Sequence, residues 1–560
     1  MEYKKLFIDV TNELIYISKK TNISKMLADN LIELNSYIES FKVKVPLMGK
    51  FNAGKSSLIN KYLDINYLPT SLLATTAIAA EIKFGADEMI IAHNKKGGKK
   101  NFKIDQISQI SNENYDYIEV YINSPLLKAM EDIIIVDMPG IDSENEIHNQ
   151  AILSYVDDGT YYIILIEAPE GGIKESVINF MKELNIYEID FAVLVSKSEK
   201  ETEQNLNLIV DTVRTQVSDA IGRDVITGSV SSHNHKFSDF IKIIKNIDYE
   251  SVLVRNFKPR LIDIINKVNR EIYLKKTFTF AETSEIDKKK YEMNKELIRT
   301  EDSINSEKIR IEKEFKYTTV DKIIKEIVGE LKNNTDLLRI KAKESNDEFL
   351  KTVNEILRPV LKQSIEKNAS IVFNDSFKNI YSEFGEILKD VFISSDIKAN
   401  TKFTNFLTIC TDIISYMKSS SGRWVLGSIG TAVGSAAGGV GAPIGGLIGA
   451  VLPDILALLK LPFDEDMFIN KNIENDFLPD FKKKLKERLN DMLGKLKNNF
   501  IARMKEIINN NIKEFTEALG QIKIEKEKIK SNHDEYLGEL DRQIDIVQKI
   551  KGKILDLGRN

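Results

Sequence analysis

The residues best suited to chemistry form a short glycine-rich stretch, GKFNAGKSS, at positions 49–57. Its glycines let the backbone curl so that successive N–H groups point inward and surround phosphate oxygens. Lys55 can reach the β- and γ-phosphates of a nucleotide, and the Ser56 hydroxyl can ligate Mg²⁺. The pattern G-x-x-x-x-G-K-S therefore predicts a P-loop. The nucleotide-binding candidates in it are Gly49, Lys50, Phe51, Asn52, Ala53, Gly54, Lys55, Ser56 and Ser57.

A second phosphate-directed motif is DMPG at 137–140, which ends the buried-strand pattern EDIIIVDMPG at 131–140. An aspartate at the C-terminal end of a strand beside a P-loop can hold Mg²⁺, usually through a water, and this assigns Asp137 to the metal. The Gly140 N–H can meet the γ-phosphate, so the loop that follows can sense the nucleotide. An ordinary aspartate at a strand end is the alternative interpretation.

The Mg²⁺ shell of a GTP-binding site also needs a threonine, which we expect between the two motifs. The segment LPTSLLATTAIAAEIKF at 68–84 contains a Thr-Thr pair before a strand-like run. Thr76 is the preferred ligand and Thr75 the alternative. A β-branched pair that only begins a strand is the remaining interpretation.

Recognition of the base is predicted at SKSE, residues 196–199, where the usual pattern is Asn/Thr-Lys-x-Asp. Lys197 can stack its stem on the base. Glu199 would pair with guanine N1–H and the 2-amino group as aspartate normally does, although its side chain is one methylene longer. A final contact is expected from Ser229 or Ser231, within TGSVSS at 227–232. Ser196 completes the base-loop candidates.

These motifs must be positioned by a sheet. The P-loop follows the apolar run VKVPLM at 43–48, and two further apolar runs lie at 161–166 and 190–196. Short apolar runs of this kind are typical of buried parallel strands. From about 250 onward, apolar residues recur at helical spacing, as they do within 1–40. The sequence predicts an α/β phosphate-binding domain followed by long helical bundles.

One segment, 424–453, contains no charged residue and is long enough for one bilayer span or a helical hairpin broken near Pro443. Glycines that recur four apart suit close helix packing in lipid. Trp424, Arg423 and Lys460 would lie at the headgroups. A hairpin buried in the protein is the alternative. The predicted membrane contacts are Trp424, Val425, Leu426, Ile429, Val433, Val440, Ile444, Leu447, Ile448, Val451 and Leu452.

The amino-acid composition restricts which binding partners and which cellular compartment we expect for the protein. The net charge of −5 gives no general attraction to nucleic acid. The single cysteine, Cys410, suits a reducing cytosol, and the charged N-terminus lacks a signal-peptide core. We therefore expect a cytoplasmic protein without a nucleic-acid partner. His233 and His235 have no acidic or cysteine partner at ligand spacing and are interpreted as surface-loop residues.

GKFNAGKSS, the Thr-Thr pair, DMPG and the SKSE loop together resemble the bacterial dynamin-like proteins. The resemblance implies a large GTPase that oligomerises with itself or with a related protein. It would act peripherally on the cytoplasmic face of the inner membrane, which it bends, tethers, fuses or divides. It implies catalysis by P-loop and switch residues, here Lys55, Asn52, Thr76 and Gly140. Phe51 stands at the position where classical dynamins carry a polar glutamine, and Asn52 is the candidate for binding K⁺ or Na⁺.

The resemblance also implies a division of the chain. The GTPase domain spans 41–250, and neck helices come from 1–40, 251–290 and 521–560. Trunk helices occupy 291–423 and 463–520, and 424–462 forms a membrane-binding paddle. Two other functions stay open: a membrane scaffold or tether with slow hydrolysis, and a pore-forming or accessory protein for toxin or vesicle export.

Overall fold

The computed structural model describes most of the chain outside 394–477. The described residues are 2–50, 52–69, 78–94, 98–110, 114–140, 161–173, 175–186, 189–278, 282–393, 478–526 and 533–557. The predicted sites at Phe51, Thr75 and Thr76 lie outside these residues, as does the whole apolar segment 424–462.

Two compact units make up the chain. The first, Phe41–Val252, is called the sheet unit below. The second combines Met1–Ser40 with Leu253–Asn560 and is called the helical unit. The sheet unit is therefore inserted between two parts of the sequence that fold together.

The described residues of the sheet unit form nine strands in one sheet, in the spatial order β4-β3-β5-β2-β6-β1-β7-β8-β9. The strands are β1 Val43–Gly49, β2 Ala79–Phe84, β3 Met89–Asn94, β4 Lys99–Phe102, β5 Tyr115–Ile122, β6 Ile133–Asp137, β7 Tyr161–Glu167, β8 Asp190–Ser196 and β9 Thr227–Ser229.

Most neighbouring strands run parallel. Strand β1 pairs in parallel with β6 and β7, and β8 pairs in parallel with β7 and β9. The antiparallel pairs are β2 with β6, and β3 with β4 and β5. Parallel strands have their C-terminal ends at one edge of the sheet, which is where ligands bind in open α/β folds. The prediction of an α/β domain with a mostly parallel sheet is confirmed.

Fourteen α-helices are present among the described residues, three of them longer than thirty residues. They are α1 Glu2–Thr21, α2 Lys25–Ser40, α3 Lys55–Leu63, α4 Pro125–Ala129, α5 Glu175–Ile186, α6 Glu203–Ile221, α7 Ser238–Lys245, α8 Tyr249–Phe278, α9 Thr283–Glu314, α10 Val320–Asn333, α11 Thr335–Glu344, α12 Asn346–Ile393, α13 Leu478–Lys526 and α14 His533–Asp556.

The central strands are apolar because helices cover them. Every residue of β7 except Glu167 is buried, and so is every residue of β8 except Asp190. Side chains of α5 and α6, among them Met181 and Val213, complete one core with these strands. Burial on this scale provides the main favourable free energy of folding and holds the C-terminal ends of β1, β7 and β8 side by side.

The helical unit is built by amphipathic helices, as the sequence predicts for the segments after residue 250. In α10 the buried residues Ile323, Ile327 and Leu331 recur at four-residue intervals. A π-helical turn, Phe315–Thr319, joins α9 to α10. Phe373 lies between two other rings there, with Phe315 at 5.4 Å and Phe500 at 4.5 Å between ring centroids. These aromatic contacts tie α12 and α13 to the π turn.

The helical unit also buries a cluster of charges. Glu514 of α13 is 4% exposed and accepts from Arg270 at 2.9 Å and from Lys267 at 3.1 Å, both from α8. The Arg270 guanidinium also lies 4.6 Å from the Phe515 ring centroid. Burial alone would lower the pKa of Lys267, but the carboxylates of Asp263 and Glu514 raise it. A buried ionic network thus joins helix α8 to helix α13.

Within the described residues, no helix combines the length and the apolar character that a membrane crossing requires.

Candidate functional site

The glycine-rich loop leaves the sheet at its centre, where β1 ends at Gly49. Gly49 has φ +154°, and a Cβ there would lie 2.7 Å from the Leu165 carbonyl oxygen of β7. Gly54 has φ +85° and caps the N-terminus of α3 in the left-handed region. Residues with a Cβ atom rarely adopt either conformation, so both positions favour glycine. The loop therefore turns tightly from β1 into the N-terminus of α3, an anion-binding arrangement.

The Lys55 side chain folds back over this loop and is 5% exposed. Its ammonium donates to the main-chain oxygens of Gly49 at 3.1 Å and Lys50 at 2.8 Å. Burial lowers the pKa of Lys55 to about 8, against the opposing effect of the Asp137 and Glu167 carboxylates. A partly desolvated ammonium held by neutral carbonyls gains strongly from an arriving phosphate.

Ser56, in the first turn of α3, contacts Asp137 at the carboxyl end of β6. The Ser56 hydroxyl donates to Asp137 Oδ2 at 2.6 Å. Asp137 Oδ1 is buried without a hydrogen-bond partner among the described residues. Burial raises the pKa of Asp137, although the bond from Ser56 opposes the shift. A buried carboxylate oxygen without a partner beside a serine hydroxyl is a donor set that suits a hard divalent cation.

The base loop begins where β8 ends. Lys197 has φ +56°, and its ammonium donates to Glu167 Oε2 of β7 at 2.6 Å. The Ser196 hydroxyl donates to the Ile166 carbonyl oxygen at 3.2 Å. A 3₁₀ turn, Ser198–Lys200, then places Glu199, which accepts from the Ser231 hydroxyl at 2.6 Å. The loop is fixed by β7 on one side and by the chain after β9 on the other.

A cleft of about 400 Å³ joins the P-loop to the base loop. This volume falls in the range of small-molecule sites. Residues predicted for the site that line it are Asn52, Ala53, Gly54, Ser57, Ser196, Lys197 and Glu199. Residues not predicted that also line it are Leu58, Lys61, Leu165, Lys200, Val230, Ser232 and His233.

The two candidates for the last base contact are placed differently. The Ser229 N–H donates to Asp239 Oδ2 at 2.8 Å, and its hydroxyl accepts from Lys236 at 3.1 Å. Ser231 is 1% exposed, and its hydroxyl donates a hydrogen bond to Glu199. Gly140 is buried three residues beyond Asp137. His233 and His235 are both exposed, in agreement with a surface loop, and His233 borders the cleft.

Two acidic residues beside the cleft were missed from the sequence. Glu170 pairs with Lys50 of the P-loop at 2.6 Å, and Glu167 pairs with Lys197 of the base loop. Both lie in EAPE at 167–170, directly after β7. The signal for them is their position at the C-terminal end of a central strand, where functional residues gather in parallel sheets.

Residues 45–198, from β1 to the base loop, match the family model described as the dynamin family. Residues 45–198 are a dynamin-family domain. The predicted resemblance to dynamin-like proteins is thereby confirmed. The matched stretch begins in the strand that carries the P-loop and ends within SKSE.

Two curated relatives are similar to part of this chain. An uncharacterised protein from the xynA 3′ region of Caldicellulosiruptor sp. (strain Rt8B.4) is 26% identical over 221 residues, which is 37% of this chain and 53% of that protein. Dynamin-like protein A of Bacillus subtilis (strain 168) is 28% identical over 152 residues, or 25% of this chain and 13% of that protein. The chain thus spans about half, or less, of the relatives it matches.

Two solved bacterial dynamin structures are similar over nearly the full chain. An oligomerised bacterial dynamin pair, described as sensing and tethering membranes at long range, is 15% identical over 99% of this chain and 82% of that chain, with a TM-score of 0.40. LeoA, a bacterial dynamin GTPase from ETEC, is 13% identical over 98% of each chain, with a TM-score of 0.31.

Proposed function

We propose that this chain binds GTP in the cleft and hydrolyses it to GDP and phosphate. The observation that supports this best is the cleft itself, which joins the glycine-rich loop around Gly54 to Lys197 and Glu199 of the base loop. A triphosphate at the N-terminus of α3 and a base between Lys197 and Glu199 would occupy its two ends. The dynamin-family match over 45–198 supports the same assignment.

Catalysis would depend mainly on charge stabilisation by the P-loop. The Lys55 ammonium would leave the Gly49 and Lys50 carbonyls for the β- and γ-phosphate oxygens, where negative charge grows during hydrolysis. The Gly140 N–H would contact the γ-phosphate. Thr76, or Thr75 in its place, would complete the site from outside the described residues. Asn52, which lines the cleft, is the proposed ligand for K⁺ or Na⁺.

Mg²⁺ fits the residues present. Ser56 and Asp137 would hold it together with Thr76, and the partnerless Asp137 Oδ1 supplies the acceptor such an ion needs. When bound, Mg²⁺ neutralises phosphate charge.

Asp137→Asn is expected to remove most of the Mg²⁺ dependence of nucleotide binding. The change keeps the size of the side chain but removes its charge, so the wild-type gain in GTP affinity on adding Mg²⁺ should shrink by about tenfold or more. A fluorescent GTP analogue titrated with Mg²⁺ or with EDTA measures this gain. Asp87→Asn, at an exposed turn of the same unit, is the matched control. An undiminished Mg²⁺ effect in Asp137→Asn contradicts the metal assignment.

The cycle of GTP binding and hydrolysis is proposed to act on a membrane. The charge-free segment 424–453 supports lipid contact. The long helices of the helical unit support the transmission of a nucleotide-driven change from the sheet unit. The neck, trunk and paddle divisions and the peripheral location on the cytoplasmic face of the inner membrane belong to this proposal. So does assembly with a second copy or a related dynamin-like chain.

GTP turnover with and without liposomes tests the proposal. We expect measurable phosphate release from GTP that liposomes stimulate. Liposome binding with negligible turnover would instead identify a scaffold or tether. Dye leakage from liposomes without nucleotide would identify a pore-forming protein.

Replacing Val451 and Leu452 with aspartate is expected to abolish binding to liposomes while basal GTP turnover stays unchanged. A charge placed in a bilayer costs several kcal/mol, about 2.5–3.5 per residue on insertion scales. Flotation of the protein with liposomes measures binding. Ile340→Asp, at an exposed position of α11, is the control for an added charge. Unchanged flotation of the double variant refutes the assignment of segment 424–453 to membrane contact.

A further inference from the structure

An ion pair joins the base loop to the neighbouring strand of the sheet. The Lys197 ammonium, in the base loop, donates to Glu167 Oε2, at the end of β7, at 2.6 Å. Within the described part of the chain this is the one side-chain hydrogen bond of either residue. The two side chains are only 25% and 17% exposed, so water competes less for this pair than for an ion pair on the surface.

The main chain of Lys197 has a conformation that lysine rarely adopts. Its φ of +56° and ψ of 34° lie in the left-handed region, which is unfavourable for a residue with a Cβ atom. Such a residue persists only where its surroundings fix it, and strained residues of this kind gather at functional sites. Here the Ser196 hydroxyl bonds the Ile166 carbonyl oxygen, and the turn Ala168–Glu170 packs against the turn Ser198–Lys200.

The ion pair determines which part of Lys197 faces the cleft. Among the described residues, Lys197 lines the cleft and Glu167 lies outside its lining. Because the ammonium is bonded to Glu167, the aliphatic stem is the part that borders the cleft. A lysine stem has four rotatable bonds and loses considerable entropy when it is ordered, so an unpaired stem would sample many rotamers.

We propose that Glu167 is a positioning residue that holds the Lys197 stem against the base of a bound nucleotide. Binding of the base then costs less side-chain entropy, because the stem is ordered before the nucleotide arrives. This inference depends on the proposed nucleotide function. It goes beyond that function by assigning to Glu167, from outside the cleft lining, a role in affinity for the base and not for the phosphates.

A ligand with a base and a ligand without one separate the two ends of the cleft. Competition with a fluorescent GTP analogue in Mg²⁺ gives the Kd of GTP and of inorganic tripolyphosphate for the full chain. Glu167→Gln keeps the size of the side chain and removes its charge, and we expect it to raise the Kd for GTP about five- to tenfold. The Kd for tripolyphosphate should not rise, because the P-loop contacts that bind it are retained.

Glu170 supplies a matched variant in the same segment. It pairs with Lys50 of the P-loop at 2.6 Å, and the two side chains are likewise mostly buried. Glu170→Gln removes the same charge but releases the P-loop, whose phosphate contacts GTP and tripolyphosphate share. The ratio of the two Kd values should therefore stay within about twofold of the wild-type ratio.

Two measurements show whether Glu167 acts through Lys197. In a Lys197→Ala background, Glu167→Gln should change the Kd for GTP by less than about twofold, because the stem that it positions is gone. Steady-state phosphate release should show a raised KM with kcat unchanged in Glu167→Gln, because the base is bound equally in the ground state and the transition state.

The outcomes distinguish this inference from the proposed function. An unchanged or lower Kd for GTP in Glu167→Gln overturns the inference and leaves the GTP assignment intact. Equal weakening of GTP and tripolyphosphate binding indicates a general structural role and also overturns it. An undiminished effect of Glu167→Gln in the Lys197→Ala background does the same. Failure of the wild type to bind GTP overturns the proposed function itself.

Discussion

Lys55→Ala is expected to lower GTP turnover by about 100- to 1,000-fold, the range found when one preorganised donor to a developing oxyanion is removed. The ammonium is nearly buried and is held by two main-chain carbonyls of the same loop. Alanine removes the positive charge that would contact the β- and γ-phosphate oxygens. Phosphate release under saturating GTP and Mg²⁺ measures the loss.

A matched variant makes this result specific. Lys242→Ala removes the same charge from an exposed position of α7, away from the cleft, and should keep wild-type turnover. Circular dichroism of Lys55→Ala should match that of the wild type, because the side chain lies in a loop–helix junction and not in the core of β7 and β8. Turnover within a few-fold of wild type in Lys55→Ala would contradict the role given to the P-loop.

The second large effect is on stability and lies in the helical unit. Glu514→Ala is expected to lower the free energy of unfolding by about 3–5 kcal/mol, because it leaves Arg270 and Lys267 buried with reduced compensation. Arg270 has a 5% exposed side chain and bonds Glu514 at 2.9 Å. Urea unfolding followed by helical circular dichroism measures the change.

An exposed ion pair on the same helix supplies the comparison. Lys523 of α13 pairs with Asp287 of α9 at 2.7 Å, with side chains 38% and 53% exposed. Lys523→Ala should therefore cost only about 0–1 kcal/mol. The double replacement Arg270→Met with Glu514→Leu should recover part of the loss, since apolar packing replaces one desolvated pair while Lys267 keeps Asp263 as its partner. Equal effects of Glu514→Ala and Lys523→Ala would contradict the account of the buried network.

The parts of the fold that the sequence could predict are those determined by local pattern. VKVPLM before Gly49 identifies β1, and IIIVD before Met138 identifies β6, because both are short apolar runs that end at turn residues. The π turn at Phe315–Thr319 could not be predicted, because the sequence there keeps ordinary helical periodicity and the distortion accompanies packing against Phe373 and Phe500.

The same distinction applies to the site. Gly49, Lys55, Ser56 and Asp137 have roles that follow from motif spacing. The contacts that fix the base loop join residues more than twenty-nine positions apart, such as Lys197 with Glu167 and Glu199 with Ser231. Such pairs depend on which strands become neighbours in the sheet. No local pattern indicates them.

Calorimetric titration of the full chain with GTP and separately with ATP, both in Mg²⁺, measures whether the cleft is a guanine-nucleotide site. We expect one saturable site for GTP that binds at least about tenfold more tightly than ATP, because guanine presents an N1–H donor to Glu199 where adenine presents a lone pair. Equal affinity for the two nucleotides, or no heat of binding with GTP, would contradict it.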